Sequence, residues 1–220
     1  MPLPLRLLAV CGTMACLVGC PWTVSSEAGT VSGEVTFDGR VAPGLTLRLQ
    51  RRDRGAWSEV ASAVSDSVGL YRFPGLAAGE YRVAYFRVPA RSDGQILGPA
   101  HVETWYSPVV GPGTRLAAIE VALGGLIYPE SGRSTPYGKG IPLPFHWSPH
   151  RDGQAYRVLL HDVSGGGERL VWTSAWTGQS YVLLTQAFAR GNYRWRIEID
   201  GGSRGSGASE TRAVDLDYQP

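Results

Sequence analysis

The sequence predicts an all-β protein, and three observations carry that prediction. Apolar residues alternate singly with polar ones in many short runs. No stretch sustains the 3.6-residue period of an amphipathic helix. The chain also holds 29 glycines and 15 prolines, which punctuate the alternating runs as turn residues do. These runs fall into two units, 29–124 and 126–218, behind an apolar N-terminal segment.

Arg6 supplies a positive charge just ahead of that segment, and Leu7 to Val18 form an apolar run broken only by Gly12 and Thr13. The run is too short for a transmembrane helix, which needs roughly 20 apolar residues, and has the length of a signal h-region. An ordinary secretory signal fits the run alone. The four residues Leu17-Val18-Gly19-Cys20 say more, because they resemble the lipobox of bacterial lipoproteins. The resemblance implies a signal peptide over 1–19, cleavage before Cys20, lipidation of its sulfur and a lipidated tether over 20–28. Two or more acyl chains suffice for lasting attachment, since each buried methylene contributes about 0.8 kcal/mol. Pro21 in place of aspartate implies passage to the outer membrane where a cell has one. The expected location is therefore the bacterial cell envelope.

Removing 1–19 leaves 201 residues and discards Cys11 and Cys16, so no disulfide is expected. The formal charge is +2, or +1 without Arg6, which argues against a nucleic-acid partner.

The first unit opens with Val31, Gly33, Val35 and Phe37 alternating against Ser32, Glu34 and Thr36, which predicts a strand with one wet face. Asp38-Gly39 turns the chain, and Leu45, Leu47 and Leu49 repeat the pattern. The Arg51-Arg52-Asp53-Arg54-Gly55 stretch reads as a solvated hairpin tip, or as a contact for anionic lipid or glycan. Asp66 can hydrogen-bond its own turn while Gly69 takes a positive φ. Tyr71 and Phe73 then share a face, Gly75 and Gly79 bend the chain, and Tyr81, Val83 and Tyr85 return. Asp66-x-x-Gly69-x-Tyr71-x-Phe73 followed by Leu76-x-x-Gly79-x-Tyr81-x-Val83 resembles the carboxypeptidase regulatory-like, or transthyretin-like, β-sandwich. That resemblance spans 29–124, closes on Ile119, Val121 and Leu123, and implies a scaffold or binding role. The long segment 88–115 holds His101, Glu103, Trp105 and Tyr106, and loops of this length gather binding residues. Trp105 and Tyr106 are the candidate binding surface; the alternative is that they cover a sheet edge or core rim.

Gly124-Gly125 separates the units. In the second, Leu143, Phe145 and Trp147 form one face, Tyr156, Val158 and Leu160 another, and Tyr193, Trp195, Ile197 and Ile199 a third. Leu143-Pro-Phe-His-Trp147, then Tyr156-Arg-Val158, then Tyr193-Arg-Trp195-Arg-Ile197 resembles a fibronectin type III-like sandwich. The resemblance implies that Trp147 is its buried tryptophan and Tyr193 its tyrosine corner. Gly165-Gly166-Gly167 and Gly201 to Gly207 are expected to be flexible hairpin loops, and Arg212 to Tyr218 a closing strand.

No motif names a reaction. Gly201-Gly202-Ser203-Arg204-Gly205 has the spacing of a nucleophile elbow, but no histidine follows it and no helix is expected after it. His146, His150 and His161 lack the spacing of a ligand set and are expected at the surface, so neither metal nor cofactor is expected. The expected function is a non-catalytic binding or scaffold module, anchored to the membrane through Cys20 and meeting an envelope protein or glycan. The alternatives are an accessory module or hydrolase acting on cell-wall carbohydrate, and a pure spacer.

Overall fold

The computed structural model describes residues 29–87 and 102–220. Residues 1–28, which hold the expected signal peptide, Cys20 and the expected tether, and 88–101, which include His101, lie outside the described residues. The chain is all-β and forms two β-sandwiches. The first contains β1 (Val31–Phe37), β2 (Arg40–Val41), β3 (Thr46–Asp53), β4 (Ala56–Val64), β5 (Leu70–Phe73), β6 (Tyr81–Phe86), β7 (Thr104–Tyr106), β8 (Thr114–Arg115) and β9 (Ile119–Glu120). The second contains β10 (Leu126–Tyr128), β11 (Ser134–Gly138), β12 (Leu143–Trp147), β13 (Ala155–Asp162), β14 (Arg169–Thr173), β15 (Tyr181–Leu184), β16 (Gly191–Asp200), β17 (Ser206–Ala208) and β18 (Arg212–Gln219).

Local chemistry sets the turns of the first sandwich. Asp38 and Gly39 both take positive φ (52° and 71°), and a two-residue turn of that kind matches the twist of paired strands. Arg54 and Gly55 (49° and 87°) do the same between β3 and β4. Asp66 Oδ1 accepts the N–H groups of Val68 (3.0 Å) and Leu70 (2.9 Å), while Gly69 takes a φ of 77°. The predicted alternation appears as burial: Val31, Val35, Tyr71, Phe73 and Ile119 face Leu47, Leu49, Val83 and Tyr85 across one core. Gly33 is required there, since a Cβ at that position meets the Tyr71 hydroxyl at 2.4 Å. One sheet is built on β1, antiparallel to β2 and β5 and parallel to β8 and β9.

The second sandwich closes the sheet β10-β12-β15 over the longer strands β13, β16 and β18. Its core is aromatic. Phe145 lies 4.9 Å from Trp195 and Trp147 lies 5.5 Å from Tyr156, centroid to centroid. Trp147 is fully buried, and Tyr193 Oη donates to the Ala189 carbonyl at 2.9 Å, the hydrogen bond of a tyrosine corner. In the first sandwich Tyr81 makes the same bond to the Ala77 carbonyl, four residues back, at 2.9 Å.

The sequence does not disclose how the two sandwiches meet. Strand β7 pairs with β6 on one side and with β17 on the other. The second sheet of each sandwich therefore merges into one ten-stranded sheet running β4-β3-β6-β7-β17-β16, onto which β13, β14, β18 and β11 continue. Backbone hydrogen bonds cross the junction without a break.

Candidate functional site

The site begins with the alternation of β7. Neighbouring strand residues point to opposite faces, so Trp105 and Tyr106 cannot serve one surface. Trp105 turns inward and is 0 % exposed, which corrects its assignment to a binding surface. The apolar indole of a strand that joins two cores is covered from both sides. Tyr106 turns outward, half-buried, onto the face of the ten-stranded sheet.

Trp105 fills a cradle supplied by the second sandwich. Added Cβ atoms would lie 3.1 Å from its ring at Gly201, 3.0 Å at Gly205 and 2.5 Å at Gly207. The glycine-rich stretch from Gly201 to Gly207 is thus no free hairpin: it holds the short 3-10 turn Gly202–Arg204 and β17, and its missing side chains make room for the indole. Ser203 sits within that turn. His150 stacks on the other side of Trp105, with ring centroids 4.5 Å apart and planes 20° apart.

The histidine is itself fixed. The Asp152 N–H donates to Nδ1 (3.1 Å), which leaves the proton on Nε2, and Nε2–H donates to the Glu120 carbonyl (2.9 Å) in the first sandwich. Burial lowers its pKa from the ordinary value, with the hydrogen bond to Glu120 opposing. His150 is 3 % exposed and His161 is also buried, so neither is the surface histidine expected; His146 is exposed. The reason is the junction for His150, and for His161 a position on central strand β13 between β14 and β16.

Glu120 is a second junction residue that the sequence did not mark. Its carboxylate, 2 % exposed, accepts from Thr36 Oγ1 (3.1 Å) and from the N–H groups of Asp38 (2.9 Å), Gly39 (2.8 Å) and Ala122 (2.9 Å). It ties the β1–β2 turn to the last strand of the first sandwich.

The outer face of the shared sheet carries the accessible chemistry. Register places Trp57, Gln50, Arg82 and Tyr106 on this face, and the Arg82 guanidinium lies 4.4 Å from the Trp57 ring and 4.1 Å from the Tyr106 ring. Arg82 Nε donates to Gln50 Oε1 at 2.8 Å. Beyond Tyr106 the floor drops, because β17 offers only Ser206, Gly207 and Ala208. A groove of about 470 Å³ follows, with Tyr106 and Trp176 among its lining residues and Thr104, Ser206, Arg196 and Glu198 supplying polar atoms. Its size lies in the range of small-molecule sites.

Trp176 is 46 % exposed, and the Arg157 guanidinium lies 4.7 Å from its ring centroid. Arg157 also holds Glu198: Nε and Nη2 both reach Oε2, at 2.6 Å and 2.5 Å. Oε1 has no partner among the described residues. Arg196 has no carboxylate within ion-pair distance among the described residues, and its buried Nε has no hydrogen-bond partner there. The arrangement can stack an apolar ring face, accept a hydroxyl at Glu198 and receive a negative charge at Arg196. Of the predicted pair Trp105 and Tyr106, Tyr106 alone reaches the groove, where the exposed Trp176 joins it; Arg196 and Glu198 carry no sequence motif that marks them as site residues.

A separate exposed row, Tyr128, His146 and Tyr181, crosses the β10-β12-β15 sheet beside Pro144.

No family model matches the chain, and no curated protein matches its sequence. Structures with a similar course of chain include fibronectin(III)-like modules of Clostridium thermocellum CbhA, at 16 % identity over 86 % of this chain and 90 % of that one. Another is BcpA, the major pilin subunit of Bacillus cereus, at 14 % identity over 86 % of this chain and 69 % of that one. Both give a TM-score of 0.31.

Proposed function

We propose that the chain is a non-catalytic binding module of the bacterial cell envelope, anchored through lipid on Cys20, in which the two sandwiches act as one stiff arm. The observation that carries this reading is the ten-stranded sheet. Two sandwiches joined by a linker alone present independent surfaces. Here the hydrogen-bonded junction offers one unbroken face, with the groove at the seam. Lipid attachment raises the effective concentration of that face at the membrane, so a weak contact suffices to hold a partner there.

The groove's acid-base chemistry favours binding over turnover. Glycoside hydrolysis ordinarily uses two carboxyl groups flanking the bond, whereas among the described residues Glu198 is the one carboxylate lining the groove, and Arg157 engages it. The likeness of the first unit to regulatory-like sandwiches and of the second to fibronectin type III-like sandwiches supports the same reading. The test is fractionation and cross-linking in intact cells, comparing the native chain with Cys20→Ala. The native chain is expected in the membrane fraction with cross-linked partners, and Cys20→Ala in the soluble fraction without them. An identical distribution and an identical partner set for the two chains overturns the proposal.

A further inference from the structure

We infer that the seam groove is a saccharide site selective for an acidic sugar, a pyranose bearing a carboxylate; this rests on the binding reading above and assigns its ligand. Three features converge on that class.

The first is the backbone. β17 forms the floor and is paired with β16 on one side and β7 on the other. No free strand edge is available there, so an extended peptide cannot add as a strand, the mode in which main-chain hydrogen bonds supply affinity. A ligand must bring its own hydroxyls to side chains. The second is the pairing of ring and polar atoms: Tyr106 and half-exposed Trp176 line the same groove as the Thr104 and Ser206 hydroxyls. Pyranoses present apolar C–H faces and equatorial hydroxyls, so they use both. The third is charge. Arg157 neutralises Glu198 and leaves Oε1 to accept a hydroxyl proton, while Arg196 stays without an acidic partner among the described residues. A guanidinium in this position is matched by a ligand carboxylate, a charge-assisted hydrogen bond stronger than a neutral one.

The experiment is titration calorimetry of the full, detergent-solubilised chain with trigalacturonate and with the neutral galactotriose, at low and at physiological salt. Trigalacturonate is expected to bind at least tenfold more tightly than galactotriose, and more weakly as salt rises. Trp176→Ala and Arg196→Gln each lower affinity for trigalacturonate at least tenfold, Arg196→Lys retains part of it, and Tyr181→Ala, exposed on the separate β10-β12-β15 sheet, leaves it unchanged. Circular dichroism and thermal midpoints of every variant establish that it is folded. Equal binding of the two trisaccharides, or full binding by folded Trp176→Ala, overturns the inference. A membrane-anchored chain with cross-linked protein partners and no affinity for either sugar removes the saccharide assignment while the envelope module stands. Cleavage of the trisaccharide removes the non-catalytic reading instead.

Discussion

Gly207→Ala perturbs the junction at its narrowest point. The new methyl lies 2.5 Å from the Thr104 carbonyl oxygen and 2.5 Å from Trp105 Cε3, against about 3.4 Å for ordinary contact. Neither obstacle can retreat: the carbonyl belongs to the β7 backbone, and the indole is fully buried under His150. β17 must therefore move from β7 by most of an ångström, which stretches the three-residue pairing that joins the sandwiches. Overpacking of a tight site costs about 1–3 kcal/mol, partly offset by the ~0.4–1 kcal/mol that replacing glycine contributes through the unfolded chain. Gly165→Ala isolates that offset, because nothing lies within 4 Å of its Cβ. Differential scanning calorimetry reads both. The expected result is a midpoint lowered by about 2–6 °C for Gly207→Ala, with the single transition broadened or split, at ~2–4 °C per kcal/mol for a chain of this size. Gly165→Ala is expected at or slightly above the parent. A Gly207→Ala midpoint equal to that of Gly165→Ala refutes the close approach of β17 to β7.

Three further predictions follow from residues already described. Glu120→Ala removes the acceptor of four donors, of which the Asp38 and Gly39 N–H groups lie in an exposed turn that water reaches. The other two cost ~1 kcal/mol or more each when left unsatisfied, so a loss of about 2–3 kcal/mol in urea unfolding is expected, and a loss under about 1 kcal/mol contradicts the network. His150 has a folded pKa below its unfolded value, so its contribution is fully present above pH ~6.5 and is lost as pH falls below that, when the unfolded chain alone takes up the proton. Unfolding free energy measured from pH 7.5 to 5 is expected to fall less steeply in His150→Gln than in the parent, and parallel curves contradict the buried neutral imidazole. Tyr81→Phe and Tyr193→Phe each remove one hydroxyl bond to a carbonyl, costing about 0.5–1.5 kcal/mol apiece. Their effects are expected to add, since the two bonds share no partner.

Much of each sandwich was legible because burial on one face of a strand leaves a period of two. Val31 and Val35, Leu47 and Leu49, Tyr71 and Phe73, and Tyr193 to Ile199 all bury as their alternation predicts. Local turn chemistry was legible as well, since Asp66 and Gly69 act within four residues of one another. The junction was not. β17 is three small residues with no apolar alternation, and its partner β7 lies about a hundred positions away in a segment read as a loop. A run of glycines such as that from Gly201 predicts freedom, but glycine also marks the close approach of another chain segment. That second meaning, set beside the large Trp105, was the available signal. The groove inherits the same difficulty: Tyr106, Trp176 and Arg196 stand far apart in sequence and meet only because the sheet continues through the seam.

Residual dipolar couplings of backbone N–H groups, collected for the isotopically labelled protein, address the shared sheet most directly. If β7 and β17 weld the sandwiches together, couplings from strands β1 to β9 and from strands β10 to β18 fit one alignment tensor, equal in magnitude and orientation. Two tensors of different magnitude, each describing only its own sandwich, contradict the continuous sheet and the groove built on it.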